Sequence, residues 1–142
     1  DNSRTPMQWN ASTNSGFTSG KPWLPLNENK KTVNVEASDK DENSILNYVR
    51  QMTKLRKEYK DVLVYGKYEL QDSKNPDVFT YTRSNGKETF LIVLNFTKKL
   101  CKTTIPDGFS LDKELINNLK LLQVNGKIID LQPYQTCVVK LK

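Results

Sequence analysis

The sequence predicts a long irregular leader and one amphipathic helix, followed by a small all-β antiparallel sandwich or barrel. Three observations carry this reading. Residues 1–42 hold Gly16, Gly20, Pro22 and Pro25 among many Asn, Ser and Thr, with no sustained period. Apolar residues from Ile45 to Tyr59 recur at spacings of three and four. Beyond Val62, short apolar runs alternate with turn signals, the pattern of a two-sheet β module.

The leader opens on Asp1-Asn2-Ser3-Arg4-Thr5-Pro6-Met7-Gln8-Trp9. Pro6 stops any local helix and biases Thr5 toward an extended conformation. Loops this long without their own secondary structure are uncommon in compact domains, and they usually act at a site or drape over a larger body. Trp9, Phe17, Trp23 and Leu24 stand as isolated apolar anchors in polar surroundings, which predicts docking onto a surface rather than a private core. The chain starts on Asp rather than Met, so it is expected to begin within a longer protein. Asp1 and Arg4 are placed to form a local ion pair that braces the loop.

The helix is expected over 43–60. Asn43 or Ser44 can cap it, and Asp41 and Glu42 suit its positive N-terminal end. Ile45, Tyr48, Val49, Met52, Leu55 and Tyr59 form one apolar stripe, which needs a partner among the downstream strands or in an upstream body. Strands are expected at 64–70, 78–83, 88–96, 101–105, 120–124, 127–131 and 136–141, with 115–119 ambiguous. Ser84-Asn85-Gly86 and Asn125-Gly126 are hairpin signals, because Asn-Gly accepts positive φ at both turn positions. The run from Phe90 to Leu94 is apolar on both faces and therefore central. A β module of about 80 residues barely sustains a core by itself. A docking loop and one helix ahead of such a module is what the tail of a larger α/β protein would look like.

Composition narrows the function. The net charge is +6, but the basic residues are spread along the chain. Arg50, Lys54 and Lys57 share one helix face, as on any solvated helix. No nucleic-acid-binding motif accompanies them, so nucleic acid is not an expected partner. The longest apolar run is far short of the roughly 20 residues that cross a bilayer, and no membrane partner is expected. The absence of His rules out Ser-His-Asp and Cys-His centres within the chain. The glycines stand singly, so no phosphate loop is present. Asp39, Asp41 and Glu42 read as a solvated charge cluster rather than an acid–base pair. Trp9 and Trp23 have the surface to stack a sugar, although loop Trp residues more often anchor packing. Cys101 and Cys137 alternate with apolar strand positions and are expected to be free and buried; a disulfide between them is not readable from sequence. Asn10-Ala11-Ser12 and Asn95-Phe96-Thr97 are glycosylation sequons, which Asn-rich sequences produce by chance. The residues by themselves define no catalytic centre, metal site or cofactor site.

The opening run strongly resembles a signature of the α-glucosidase branch of the α-amylase superfamily, which includes oligo-1,6-glucosidases, maltases, trehalose-6-phosphate hydrolases and sucrose isomerases. The resemblance continues through Ser15-Gly16-Phe17, Lys21-Pro22-Trp23, Asn27 and Val33-Asn34-Val35-Glu36. It extends to Ser44-Ile45-Leu46-Asn47-Tyr48, Leu55-Arg56-Lys57, Val64-Tyr65-Gly66 and Leu131-Gln132-Pro133-Tyr134. Asn10 stands where many members have Asp, and Ser15 replaces a frequent Ala.

That resemblance implies a fragment of a (β/α)8 barrel, the loop after the last strand and the last helix, in residues 1–61. A C-terminal β-sandwich would follow in residues 62–142. It implies an exo-acting retaining α-glucosidase of maltose or isomaltose type as the parent protein, acting on α-linked gluco-oligosaccharides without a cofactor. Retaining enzymes of this kind set two carboxyl groups about 5–5.5 Å apart. In the family these lie upstream of the signature, so no catalytic residue maps here, and Asp1 and Arg4 are site-proximal braces. The fragment is expected to be inactive, and a cytoplasmic location follows by analogy, with secretion left open. A trehalose-6-phosphate hydrolase and a non-catalytic accessory protein of the same fold, as in amino-acid transporter heavy chains, are the alternatives.

Overall fold

The computed structural model describes residues 4–119 and 121–142. Asp1, half of the expected brace, and Lys120, at the start of the strand expected over 120–124, lie outside them. The chain divides into two compact units, Asp1–Arg50 and Gln51–Lys142.

The first unit corrects the expectation of an irregular leader. It contains 3-10 turns at Thr13–Gly16 and Glu28–Lys31 and a helix α1, Val35–Lys40. Asn34 starts α1: its Oδ1 accepts the Ala37 N–H at 2.8 Å while its Nδ2 donates to the Lys30 carbonyl at 2.9 Å. That is N-capping by a side chain that prefers caps to helix interiors. Glu36 in the first turn and Lys40 in the last match the dipole and pair with each other at 2.7 Å.

Helix α2, Ile45–Glu58, carries the chain from one unit into the next. Ser44 is the cap, with its Oγ accepting from Asn47 N–H at 3.1 Å. No acidic residue lies in the first turn of α2, so Asp41 and Glu42 precede the helix instead of sitting on its dipole. The expected single helix to residue 60 breaks at Tyr59 (φ −105°, ψ 37°), and a short α3, Lys60–Leu63, follows. The Tyr59 ring packs edge-on to Phe90 at 5.0 Å, and Val62 is buried.

The second unit is the expected antiparallel sandwich. Strands are β1 Lys67–Gln71, β2 Val78–Ser84, β3 Thr89–Asn95, β4 Cys101–Thr104, β5 Leu111–Asn117, β6 Gln123–Asn125, β7 Ile128–Leu131 and β8 Thr136–Leu141. One sheet is ordered β1-β2-β3-β8-β5 and the other β4-β7-β6. Strand β1 starts later than expected because α3 and its turn occupy residues 60–66. The ambiguous 115–119 run is the end of β5, which was obscured by Asp112-Lys113-Glu114 and by register shifts against β8. Leu91, Val93, Ile105, Ile129, Leu131 and Val139 are essentially buried between the sheets. Burying each such side chain contributes roughly 1.5–3 kcal/mol.

Buried polar groups in this unit are satisfied. Asn95 donates to the carbonyls of Lys99 and Gln132, both at 2.9 Å, and accepts from Thr97 N–H at 2.8 Å. Its amide is therefore committed to the fold, which leaves this sequon without an available acceptor nitrogen in the native state. Gln135, fully buried, donates to Leu121 O and accepts from Gln132 N–H, both at 2.9 Å.

Gly66 sits where α3 ends against β2. A Cβ there would lie 2.4 Å from the Val62 carbonyl oxygen and 2.9 Å from that of Ser84, both backbone atoms. Gly66→Ala is expected to destabilise the second unit by about 2 kcal/mol, read as a lower urea midpoint. Cys101 and Cys137 are free and buried, and burial pushes the Cys137 thiol up to about 12. The unfolded chain loses this proton at lower pH than the native one. The contribution of Cys137 to stability therefore falls as pH rises from about 8.5, the free-thiol value, toward the native value. Both thiols should resist a thiol reagent at pH 8 until denaturant is added.

Candidate functional site

The signature loop and the α1 motif, some 25 residues apart, fold as one device. The carbonyls of Gln8 and Trp9 accept the N–H groups of Val35 and Glu36, each at 2.9 Å. These are first-turn donors of α1 with no partner inside the helix, and Asn34 Oδ1 takes the next. Gln8 Nε2 donates to Asn29 Oδ1 at 3.2 Å and to the Val33 carbonyl. The other end of α1 is closed by Asn47, whose Nδ2 reaches the carbonyls of Ser38, Asp39 and Asp41 at 2.9–3.1 Å. Arg50 pairs with Asp39 and bonds Asn47 Oδ1 at 3.0 Å. Asp39 is thus an ion-pair partner within α1, not one of an acid–base pair.

Trp9 and Asn10 also bond the Ser15 carbonyl, at 2.9 and 3.2 Å. Asn14, Ser15 and Gly16 reach this position through three successive positive φ angles of 54°, 55° and 67°. Only the Gly adopts that region without cost. A Cβ on Gly16 would meet Asn10 Nδ2 at 2.7 Å. Ser15 is fully buried, and its hydroxyl has no hydrogen-bond partner. The turn needs a small side chain there and gains nothing from the oxygen.

Arg4 lies with its guanidinium 5.6 Å from the centre of the Trp23 ring. With Thr5, Pro6, Phe17 and Leu24 they line a pocket of about 400 Å³. Trp23 is 74% exposed and Trp9 and Phe17 about half, so the expected anchors stand open rather than in a core. A second groove of about 490 Å³ lies between Pro6–Gln8, Asn29, Val33 and Leu46. Residues 4–34 contain one carboxylate, Glu28, so this loop offers binding surface but no carboxyl pair. No cluster of metal-binding side chains occurs among the described residues. The capping role of Asn34 was missed from sequence, although Asn followed by Glu36 and Lys40 at helical spacing was the available signal.

The chain and its relatives align over this whole arrangement. The family model for the α-amylase catalytic domain matches residues 1–66, and that for the C-terminal domain of the α-amylase SusG matches 78–138. The chain belongs to the α-amylase superfamily: it comprises a (β/α)8-barrel fragment followed by a β-sandwich. Within it, the chain falls in the α-glucosidase branch, of oligo-1,6-glucosidase type. It is 39% identical over its whole length to an oligo-1,6-glucosidase of Parageobacillus thermoglucosidasius and 40% to that of Bacillus cereus, covering 26% of each. It is 34% identical over 99% of its length to a trehalose-6-phosphate hydrolase of Bacillus subtilis. Among solved structures, an isomaltulose synthase from Klebsiella superposes with a TM-score of 0.87 at 37% identity, over 99% of this chain and 25% of that one. The chain thus spans about a quarter of the length of these relatives.

The geometry of the turn sets opposite expectations for neighbouring residues. Ser15→Ala should leave thermal stability unchanged or slightly raised. Gly16→Ala should lower it, by about 1–3 kcal/mol, through strain at positive φ.

Proposed function

We propose that the protein carrying this chain is an exo-acting retaining α-glucosidase that releases glucose from the non-reducing ends of short α-linked oligosaccharides. The carrying observation is the 39–40% identity to oligo-1,6-glucosidases over the entire chain, signature loop included. Residues 1–61 are the end of the catalytic barrel, and 62–142 are its C-terminal sandwich. Barrel enzymes place their sites on the loops that follow the strands. The loop held by α1 then forms part of the rim of the sugar site. Asp1 and Arg4 brace that rim: Arg4 stacks on Trp23 and keeps the loop in register beside the substrate. The nucleophile and the general acid/base come from barrel strands upstream, one attacking the anomeric carbon and the other protonating the leaving oxygen. The protein works in the cytoplasm.

The solved sucrose-isomerising relatives at similar identity favour a second reading, in which the glucosyl group is passed to fructose instead of water. Assays of the full-length protein on maltose, isomaltose, trehalose-6-phosphate and sucrose separate these readings. Glucose from isomaltose or maltose supports the first, and isomaltulose from sucrose supports the second. Turnover of none would overturn both. The 142 residues without the barrel should not cleave p-nitrophenyl α-glucoside.

A further inference from the structure

The outward face of the five-stranded sheet is covered over only part of its area. Direct cross-strand partners share a face. Tyr68 lies opposite Arg83, Leu70 opposite Tyr81, and Phe79 opposite Leu94, while Arg83 and Tyr81 oppose Phe90 and Ile92. Over Phe90 the face is closed by Tyr59, and α3 packs on β2 and β3. Beyond that cover, Tyr68, Leu70 and Phe79 are 45%, 45% and 41% exposed. Their rings form a row with Tyr81: Tyr68 to Tyr81 is 5.2 Å and Phe79 to Tyr81 is 5.3 Å, with tilts of 38° and 44°.

We propose that Tyr68, Leu70, Phe79 and Tyr81, flanked by Arg56 and Arg83, dock the outer surface of the catalytic barrel at a patch of apolar residues bearing carboxylates. This rests on the reading of the chain as the end of such an enzyme. Continuity is the first argument. Tyr59 and α3, which close the face over Phe90, fall within the segment matched by the catalytic-domain model, so barrel-derived chain already occupies one end of this face. The relatives carry roughly three times as much chain again beyond the matched quarter, enough to cover the remainder.

Charge is the second argument. Arg56 and Arg83 both lie near enough to Tyr81 to act on its hydroxyl. Neither forms an ion pair among the described residues. Arg83 donates to the Val64 carbonyl at 2.6 Å, yet its buried Nε has no acceptor. Aromatic residues and Arg on an apolar patch are the composition of a protein interface. The rings stack on one another at about 5 Å and so do not lie coplanar and apart, as a sugar platform would require.

The test labels single cysteines in the full-length protein with a maleimide, read by mass spectrometry. Tyr68→Cys and Phe79→Cys should react at least tenfold more slowly than Leu100→Cys, a 74% exposed control ahead of β4. In the Tyr68→Cys background, Arg83→Glu should raise the labelling rate and Arg83→Lys should preserve protection. Labelling of both sites at the control rate would overturn the proposal. So would protection that disappears on dilution, which would make the occupant a second copy. Glucosidase activity of the same preparations separates the two inferences. An active protein with a freely labelled face sinks the docking surface alone, and a protected face without glycosidase activity sinks the function alone.

Discussion

Strand β3 is buried on both sides, and the second unit is built around that constraint. Leu91 and Val93 point into the space between the sheets, while Phe90 and Ile92 point the other way and are equally shielded. An apolar run with no polar face cannot occupy an edge or a solvated surface. It therefore takes the middle of the larger sheet, between β2 and β8, and requires a cover on each side. The smaller sheet supplies one cover. The other begins with Tyr59 and α3, which explains why the helix breaks there and why Gly66 must let two backbone segments approach. The same requirement leaves the aromatic row beyond α3 waiting for more chain.

In the first unit the controlling interaction is different. Helix α1 is short, and a short helix is dominated by its unsatisfied ends. Gln8, Trp9 and Asn34 satisfy one end; Asn47 and Ser44 satisfy the other. Segments of family resemblance that look separate along the chain are the two halves of these caps. Their function in this unit is to hold a loop in shape, and that loop carries Arg4 and Trp23 at its surface. Polar residues do most of this work because the unit has few buried apolar side chains to share it.

The two units thus illustrate different routes to order, one through hydrogen-bonded caps and one through a packed core. Both leave large apolar side chains uncovered. Ile45 on α2 is 84% exposed and Trp23 is 74% exposed. Side chains of that size at that exposure mark contact surfaces more often than ordinary monomer surface, which accords with a chain matching only a quarter of its relatives.

The sequence determined the sandwich, its central strand, its two Asn-Gly hairpins, helix α2 and the burial of both cysteines, because each rests on local periodicity or turn chemistry that needs no distant partner. It also carried the family, through the run from Asp1 to Trp9 and its continuation. It did not reveal α1, whose stability comes from the carbonyls of Gln8 and Trp9 far earlier in the chain. Nor did it reveal β5, whose charged stretch pairs through bulges with β8. The candidate site was legible as a loop and a family signature but not as a geometry. The contact of Arg4 with Trp23, the left-handed turn at Ser15 and the reason for Gly66 depend on which backbone atoms meet across the fold. Only the tertiary structure decides such meetings, because they join segments whose local sequence carries no record of one another.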